Sequence, residues 1–74
     1  MRITKVEIDD NNVGHVTRHG VPVEEIEAAF DGSAVVRRNK GGRAADYFIV
    51  ANGVRVNFVY RGGGVARPIS AWRV

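Results

Sequence analysis

Cysteine is absent from this 74-residue chain, which removes disulfides, thiolate metal sites and catalysis by a thiol nucleophile. His15 and His19 are the only histidines and share one short segment, too little for a closed metal site, so neither a metal nor a cofactor is expected. Aromatic residues make up only 8% of the chain. Tyr47 and Tyr60 are left as stacking partners, and Tyr60 falls on a core-facing position, which argues against an RNA-recognition motif built on stacked bases. No apolar run approaches the length of a membrane span, and charges interrupt the residues after Met1 where a secretory signal would carry its apolar stretch. The sequence is expected to be a soluble, cytoplasmic protein without membrane contact. At this length it forms one domain, 1–74, near the size at which a single core is just sufficient.

Acidic residues are nearly missing from the second part of the chain. Residues 1–31 hold three basic side chains against seven acidic ones, a net charge of −4. Residues 32–74 hold eight basic side chains against Asp46 alone, a net charge of +7. Seven of those eight are arginine, whose planar fork suits phosphate and stacks on bases. Charge segregated in this way favours an anionic partner.

What is present reads as two helices followed by strands. "RITKVEI" predicts a short first strand that stops at Asp9-Asp10, and either of those acids is placed to cap a helix over 11–19 ending at Gly20. "VPVEEIEAAF" predicts a second helix. Pro22 suits its first turn, Glu24 and Glu25 face the positive end of the dipole, and Val23, Ile26 and Phe30 form an apolar stripe. After Gly32 the period changes to strands separated by glycine turns: "SAVVRR", "DYFIVA", "VRVNFVY" and "VARPISAWRV". Asn52-Gly53 is a strong hairpin signal. The predicted fold class is α+β, in the order β-α-α-β-β-β-β, with two helices on one face of a mainly antiparallel sheet and the other face open.

Strand 54–60 places Val54, Val56, Phe58 and Tyr60 toward the core and Arg55, Asn57 and Val59 outward. The register of the last strand depends on the turn at Gly62-Gly63-Gly64. A three-residue turn, the preferred alternative because it avoids burying Arg67, puts Arg67, Ile69, Ala71 and Arg73 on the open face and Pro68, Ser70 and Trp72 against the helices. A two-residue turn exchanges the sets. In the first register Arg37 or Arg38, Arg43, Arg55, Arg61, Arg67 and Arg73 line one basic surface, with "RRNKGGR", including Lys40, as its hairpin rim. For any single arginine, exposure on a solvated sheet face explains the residue equally well. For the set, nucleic acid is the favoured partner. In "HVTRHG", His15, Arg18 and His19 fall at i, i+3 and i+4, on one side of the predicted first helix. Taken alone they are helix C-terminal cations favoured by the dipole. A histidine also shuttles protons near neutral pH.

The segment "IDDNNVGHVTRHGVPVEEIEAAF", the basic hairpin, the strand pair and the terminal "VARPISAWRV" together resemble the BrnT-type toxins of bacterial toxin–antitoxin pairs, a branch of the RelE/ParE-like superfamily. The carrying motifs are the D-x-x-N-like stretch Asp9 to Asn12, Arg18-His19-Gly20-Val21 closing a helix, Glu24-Glu25 opening the next, and the R-x-[IV]-[ST]-A stretch from Arg67 to Ala71. One departure is that the family usually has arginine after the S-A pair, where this chain has Trp72 and then Arg73.

The resemblance implies a RelE-like fold and a metal-independent endoribonuclease in which the RNA's own 2′-hydroxyl attacks the adjacent phosphorus. It assigns Arg67 and Arg43 to phosphate stabilisation, His19 to proton transfer, and Arg18, Arg37, Arg38, Lys40, Arg55, Arg61 and Arg73 to holding RNA. The implied partners are RNA, with or without the ribosome, and a cognate antitoxin protein. Two other functions fit the residues: a non-catalytic module of the same fold that binds nucleic acid or, like ParE, another protein, and a plain structural domain of a mobile element.

Overall fold

In a computed structural model of the chain, which describes all residues except Ser33, Gly42 and Arg43, Asn52 and Gly53 both take positive φ, 54° and 74°. That conformation is what a two-residue turn needs to follow the right-handed twist of its strands, and Asn-Gly reaches it at least cost. The turn joins β3 (Tyr47–Ala51) to β4 (Val54–Tyr60), paired antiparallel from Ala51↔Val54 to Tyr47↔Phe58. A second turn at Gly62–Gly64 carries the chain into β5 (Val65–Arg73), with Arg61 N–H donating to the Val65 carbonyl at 2.8 Å. Gly64 has φ +81° and is buried, and a Cβ there would lie 2.5 Å from Thr4 Oγ1. Only glycine lets the first residues of the chain approach so closely.

The sheet is completed by β1 (Lys5–Val6), which runs parallel to β5, and β2 (Arg37–Arg38), antiparallel to β3. The spatial order is β1-β5-β4-β3-β2, so the protein is α+β with a five-stranded mixed sheet. The helices are α1 (Val13–Val16) and α2 (Val23–Ala29). Ile26 and Ala29 of α2 pack with Ile49, Val54, Val56 and Phe58, while Val16 and Val21 join Ala66 and Ala71 in the same cluster. Phe30 meets Phe58 edge to face at 5.2 Å. Burial of this one face supplies the folding free energy, at roughly 25 cal/mol per Å² of apolar surface.

Three expectations need correction. The first helix, expected over 11–19, is one turn long. Thr17 Oγ1 bonds back to the Val13 carbonyl at 2.7 Å, and the next amides, Arg18 and Gly20, reach only three residues back, to His15 and Thr17. Its cap is Asn12, without a side-chain cap bond, whereas Asp9 accepts the Asn11 amide in a local turn. The strand expected over "SAVVRR" is limited to Arg37–Arg38, with Ser33 outside the described residues.

The third correction concerns the last strand. The three-residue turn is present and sets Ala66 and Pro68 toward the helices and Arg67 outward, as expected. Between Asn57↔Ser70 and Phe58↔Pro68 the register then shifts by one residue, leaving Ile69 as the extra residue of a β-bulge. Proline cannot donate to the ladder and is tolerated in strands mainly at edges and bulges. Beyond Ile69 the alternation is inverted. Ala71 is buried in the core, Ser70 and Trp72 lie beside Asn57 and Arg55 on the open face, and Arg73 crosses to the helix side.

Candidate nucleic-acid interface

The open face follows from these pairings. It carries Arg37, Phe48 and Val50, then Arg55, Asn57 and Val59, then Arg67, Ser70 and Trp72. None of the described helices covers it, because α2 packs on the opposite side of β3 and β4.

Its centre is Arg55. The Arg55 guanidinium lies over the Phe48 ring, with Cζ 3.8 Å from the centroid, and 5.6 Å from the Trp72 centroid. Amide oxygens hold its edges: Nε donates to Asn57 Oδ1 at 3.2 Å and Nη2 to Asn39 Oδ1 at 2.8 Å. Asn39 Nδ2 in turn donates to Asn57 Oδ1 and to the carbonyls of Ala45 and Tyr47, while Asn57 Nδ2 reaches Ser70 Oγ. Asn57 is 4% exposed, so its polar groups require these partners. The result is a cationic plane held from its edges, with no carboxylate paired to it among the described residues. At its β2 side a cleft of about 610 Å³ opens between Val35, Arg37, Lys40, Phe48 and Arg55.

The other end of the face is different. Parallel pairing of β1 with β5 continues through Glu7 N–H to the Ala66 carbonyl at 2.8 Å, which sets Glu7 beside Arg67. Arg67 Nη1 donates to Glu7 Oε1 and to Asp9 Oδ2, both at 3.0 Å, and Nη2 donates to Asp9 Oδ1 at 3.3 Å. Arg61 Nε stands 3.9 Å from the same Glu7 oxygen. The hydrogen bonds from Arg67 lower the pKa of Asp9 below the usual carboxylate range, and those to Asp9 and Glu7 raise that of Arg67.

Asn12, 7% exposed, ties this corner to the bulge. It accepts the Asp9 amide at 2.7 Å and donates to the carbonyls of Glu7 and Pro68 at 3.0 and 3.1 Å.

The residues singled out from the sequence therefore divide. Arg37, Arg55 and Arg67 share the open face, with Arg61 at its Glu7 corner and exposed Lys40 on the rim of the cleft. Arg73 does not share it: it lies on the helix side and grips Glu25 with two bonds of 2.9 and 2.7 Å, which lower the pKa of Glu25 and raise its own. Arg38 is likewise on the helix side, where Nη2 donates to Tyr47 Oη at 3.2 Å. Arg43 lies outside the described residues.

His15 lies within α1, and Arg18 and His19 follow in the turn beyond it, so the three do not form the helical face expected of them. Arg18 Nε donates to His19 Nε2 at 3.3 Å, and the His19 ring meets Trp72 edge to face at 6.1 Å.

The stacking partners also differ from the expected tyrosines. Tyr47 stacks on Phe58 on the helix side, and Tyr60 accepts the Gly64 amide. Phe48 and Trp72 take their place on the open face. For Phe48 the sequence signal was the Asn52-Gly53 hairpin, whose register sets it opposite Asn57; for Trp72 it was the proline in a central strand, since a bulge at Pro68 turns Trp72 outward, next to Arg55.

A second cleft, of about 780 Å³, lies between the first residues of the chain and the end of α2. Its charges are mixed, Arg2 and Lys5 against Glu27 and Asp31, above an apolar floor that includes Ile3, Phe30 and Ile49. It lacks the unpaired cations that surround Arg55 on the open face. No helix among the described residues is long and apolar enough to cross a membrane. No protein-family model, curated protein or solved structure matches the chain.

Proposed function

We propose that this protein is an RNA-directed toxin of a toxin–antitoxin pair, a metal-independent endoribonuclease that holds its substrate on the open sheet face. The family resemblance supplies the activity. The observation that carries the assignment to this face is the placement, on one uncovered surface, of a carboxylate–arginine pair, Glu7 with Arg67, and the Arg55 plane between Phe48 and Trp72. In the reaction the 2′-oxygen forms a bond to phosphorus and the bond from phosphorus to the 5′-oxygen breaks, leaving a cyclic phosphate and a 5′-hydroxyl. A base takes the 2′-proton and an acid returns one to the 5′-oxygen. Arg67 stabilises the crowded phosphorane. Arg43 is assigned the same task through the resemblance. His19, at the Trp72 edge of the face, and Glu7, beside Arg67, are the groups that exchange protons.

Purified protein incubated with total RNA in EDTA tests this. Cleavage with cyclic-phosphate ends is expected, reduced at least about 100-fold in Arg67→Ala, as for loss of one charge-stabilising donor.

The competing assignment is a module of the same fold that binds nucleic acid or protein without cutting. One observation favours it: Arg67 is already satisfied by two carboxylates and must release one of them to reach a phosphate. Intact RNA with wild-type protein, with and without ribosomes, would sink the nuclease assignment and leave the module.

A further inference from the structure

Resting on the assignment of RNA to the open face, we infer that Arg55 is a stacking platform for an unpaired base, not a phosphate clamp, so that the substrate class is single-stranded RNA. Three features carry this. The first is orientation. The Arg55 Cζ sits over the Phe48 ring, 3.8 Å from its centroid, close enough for the guanidinium to stack on it. A phosphate is gripped by the N–H edges of an arginine, in the plane of the fork. Here two of the five N–H donors are already engaged, Nε by Asn57 and one on Nη2 by Asn39.

The second is rigidity. Asn39 is fixed by the carbonyls of Ala45 and Tyr47, and Asn57 by Ser70, so the plane is held before any ligand arrives. A preorganised plane loses little side-chain freedom on binding.

The third is the surrounding charge. Among the described residues Arg55, Arg37 and Lys40 form no ion pair, and Arg37 and Lys40 edge the 610 Å³ cleft that begins at the Arg55 plane. A base on the Arg55 plane therefore sends its flanking phosphates toward two unpaired cations. Unstacked bases laid on guanidinium or aromatic planes are how proteins read single-stranded RNA, whereas a duplex keeps its bases stacked on one another.

The probe is a short 2′-O-methyl oligonucleotide, which cannot be cut by 2′-hydroxyl attack, followed by the fluorescence of Trp72, the only tryptophan. At about 0.1 M salt, single strands are expected to bind roughly tenfold tighter than a duplex of the same sequence and than an abasic strand of the same length. Arg55→Lys, which keeps the charge and loses the plane, is expected to lose that preference while retaining its affinity for the abasic strand. Equal binding of single strand, duplex and abasic strand by the wild-type protein would overturn the stacking role while leaving RNA on the face. Failure to bind any of the three would overturn the RNA assignment itself. The comparison of strands uses only wild-type protein, so the outcome stands even if Arg55→Lys does not fold.

Discussion

Asn12 donates through its side-chain amide to the carbonyl of Pro68, 3.1 Å away and 56 residues along the chain. The same amide group holds the Glu7 carbonyl, and its oxygen takes the Asp9 amide. A single buried side chain thus fixes the end of the first strand, the entry to the first helix and the bulge in the last strand.

Asn12→Ala leaves one amide and two carbonyls without these partners, and a destabilisation of about 2–4 kcal/mol is expected, since each buried polar group left unsatisfied costs roughly 1–3 kcal/mol. Urea unfolding measures it. A change within 0.5 kcal/mol would mean that water replaces the amide at little cost.

Gly64 and Gly63 share positive φ, but only Gly64 has neighbours in the way of a side chain. Gly64→Ala combines an unfavourable backbone conformation with a clash against Thr4 and the Arg2 carbonyl, for about 2–4 kcal/mol. Gly63→Ala meets nothing within 4 Å, so only the backbone cost of about 1 kcal/mol is expected. Equal melting temperatures for the two variants would show that the segment before Lys5 does not pack as described.

Arg67 and Arg73 hold the carboxyls of Asp9 and Glu25 below their ordinary pKa. A carboxyl depressed in the folded state stabilises the fold above its unfolded pKa of roughly 4, and that contribution disappears as pH falls through the lower, folded value. Stability should therefore decline below about pH 4, and less so in an Asp9→Asn, Glu25→Gln double variant. Denaturant midpoints at about pH 3 and 7 test this, and parallel declines would remove these pairs as the source.

Arg37 and Arg73 were indistinguishable as cations in the sequence, but they lie on opposite sides of the sheet. Arg37→Ala should weaken RNA binding and reduce the salt slope by about one counterion, while Arg73→Ala should leave both unchanged. The reverse result would place RNA on the helix side.

How far the sequence revealed this follows from the range of each interaction. The Asn52-Gly53 hairpin and the alternation of Val54 to Tyr60 were legible because turn chemistry and period two are local. The first helix was overestimated because Asp9, Asp10 and Gly20 bracket a plausible span, while the chain instead closes in tight turns after Val16. The Asn12–Pro68 contact and the Glu7–Arg67–Asp9 cluster depend on parallel pairing between the two ends of the chain, which no local pattern encodes. Of the site, the arginines were visible as a set. Their sorting into open, paired and helix-side groups was not, because it turns on one residue of register.

Ile69 is a phase marker. Absorbing that one residue into the ladder, with no bulge, would restore strict alternation and rotate the end of the strand by half a turn, carrying Trp72 inward and Arg73 outward without altering either side chain, whereas deleting it would leave both where they are. Substitutions in this strand change what a face displays; the bulge after Pro68 decides which face displays it. For the last four residues of the strand, side-chain identity and placement are therefore separately adjustable, and loss of the bulge there would do more to the open face than the exchange of any one arginine.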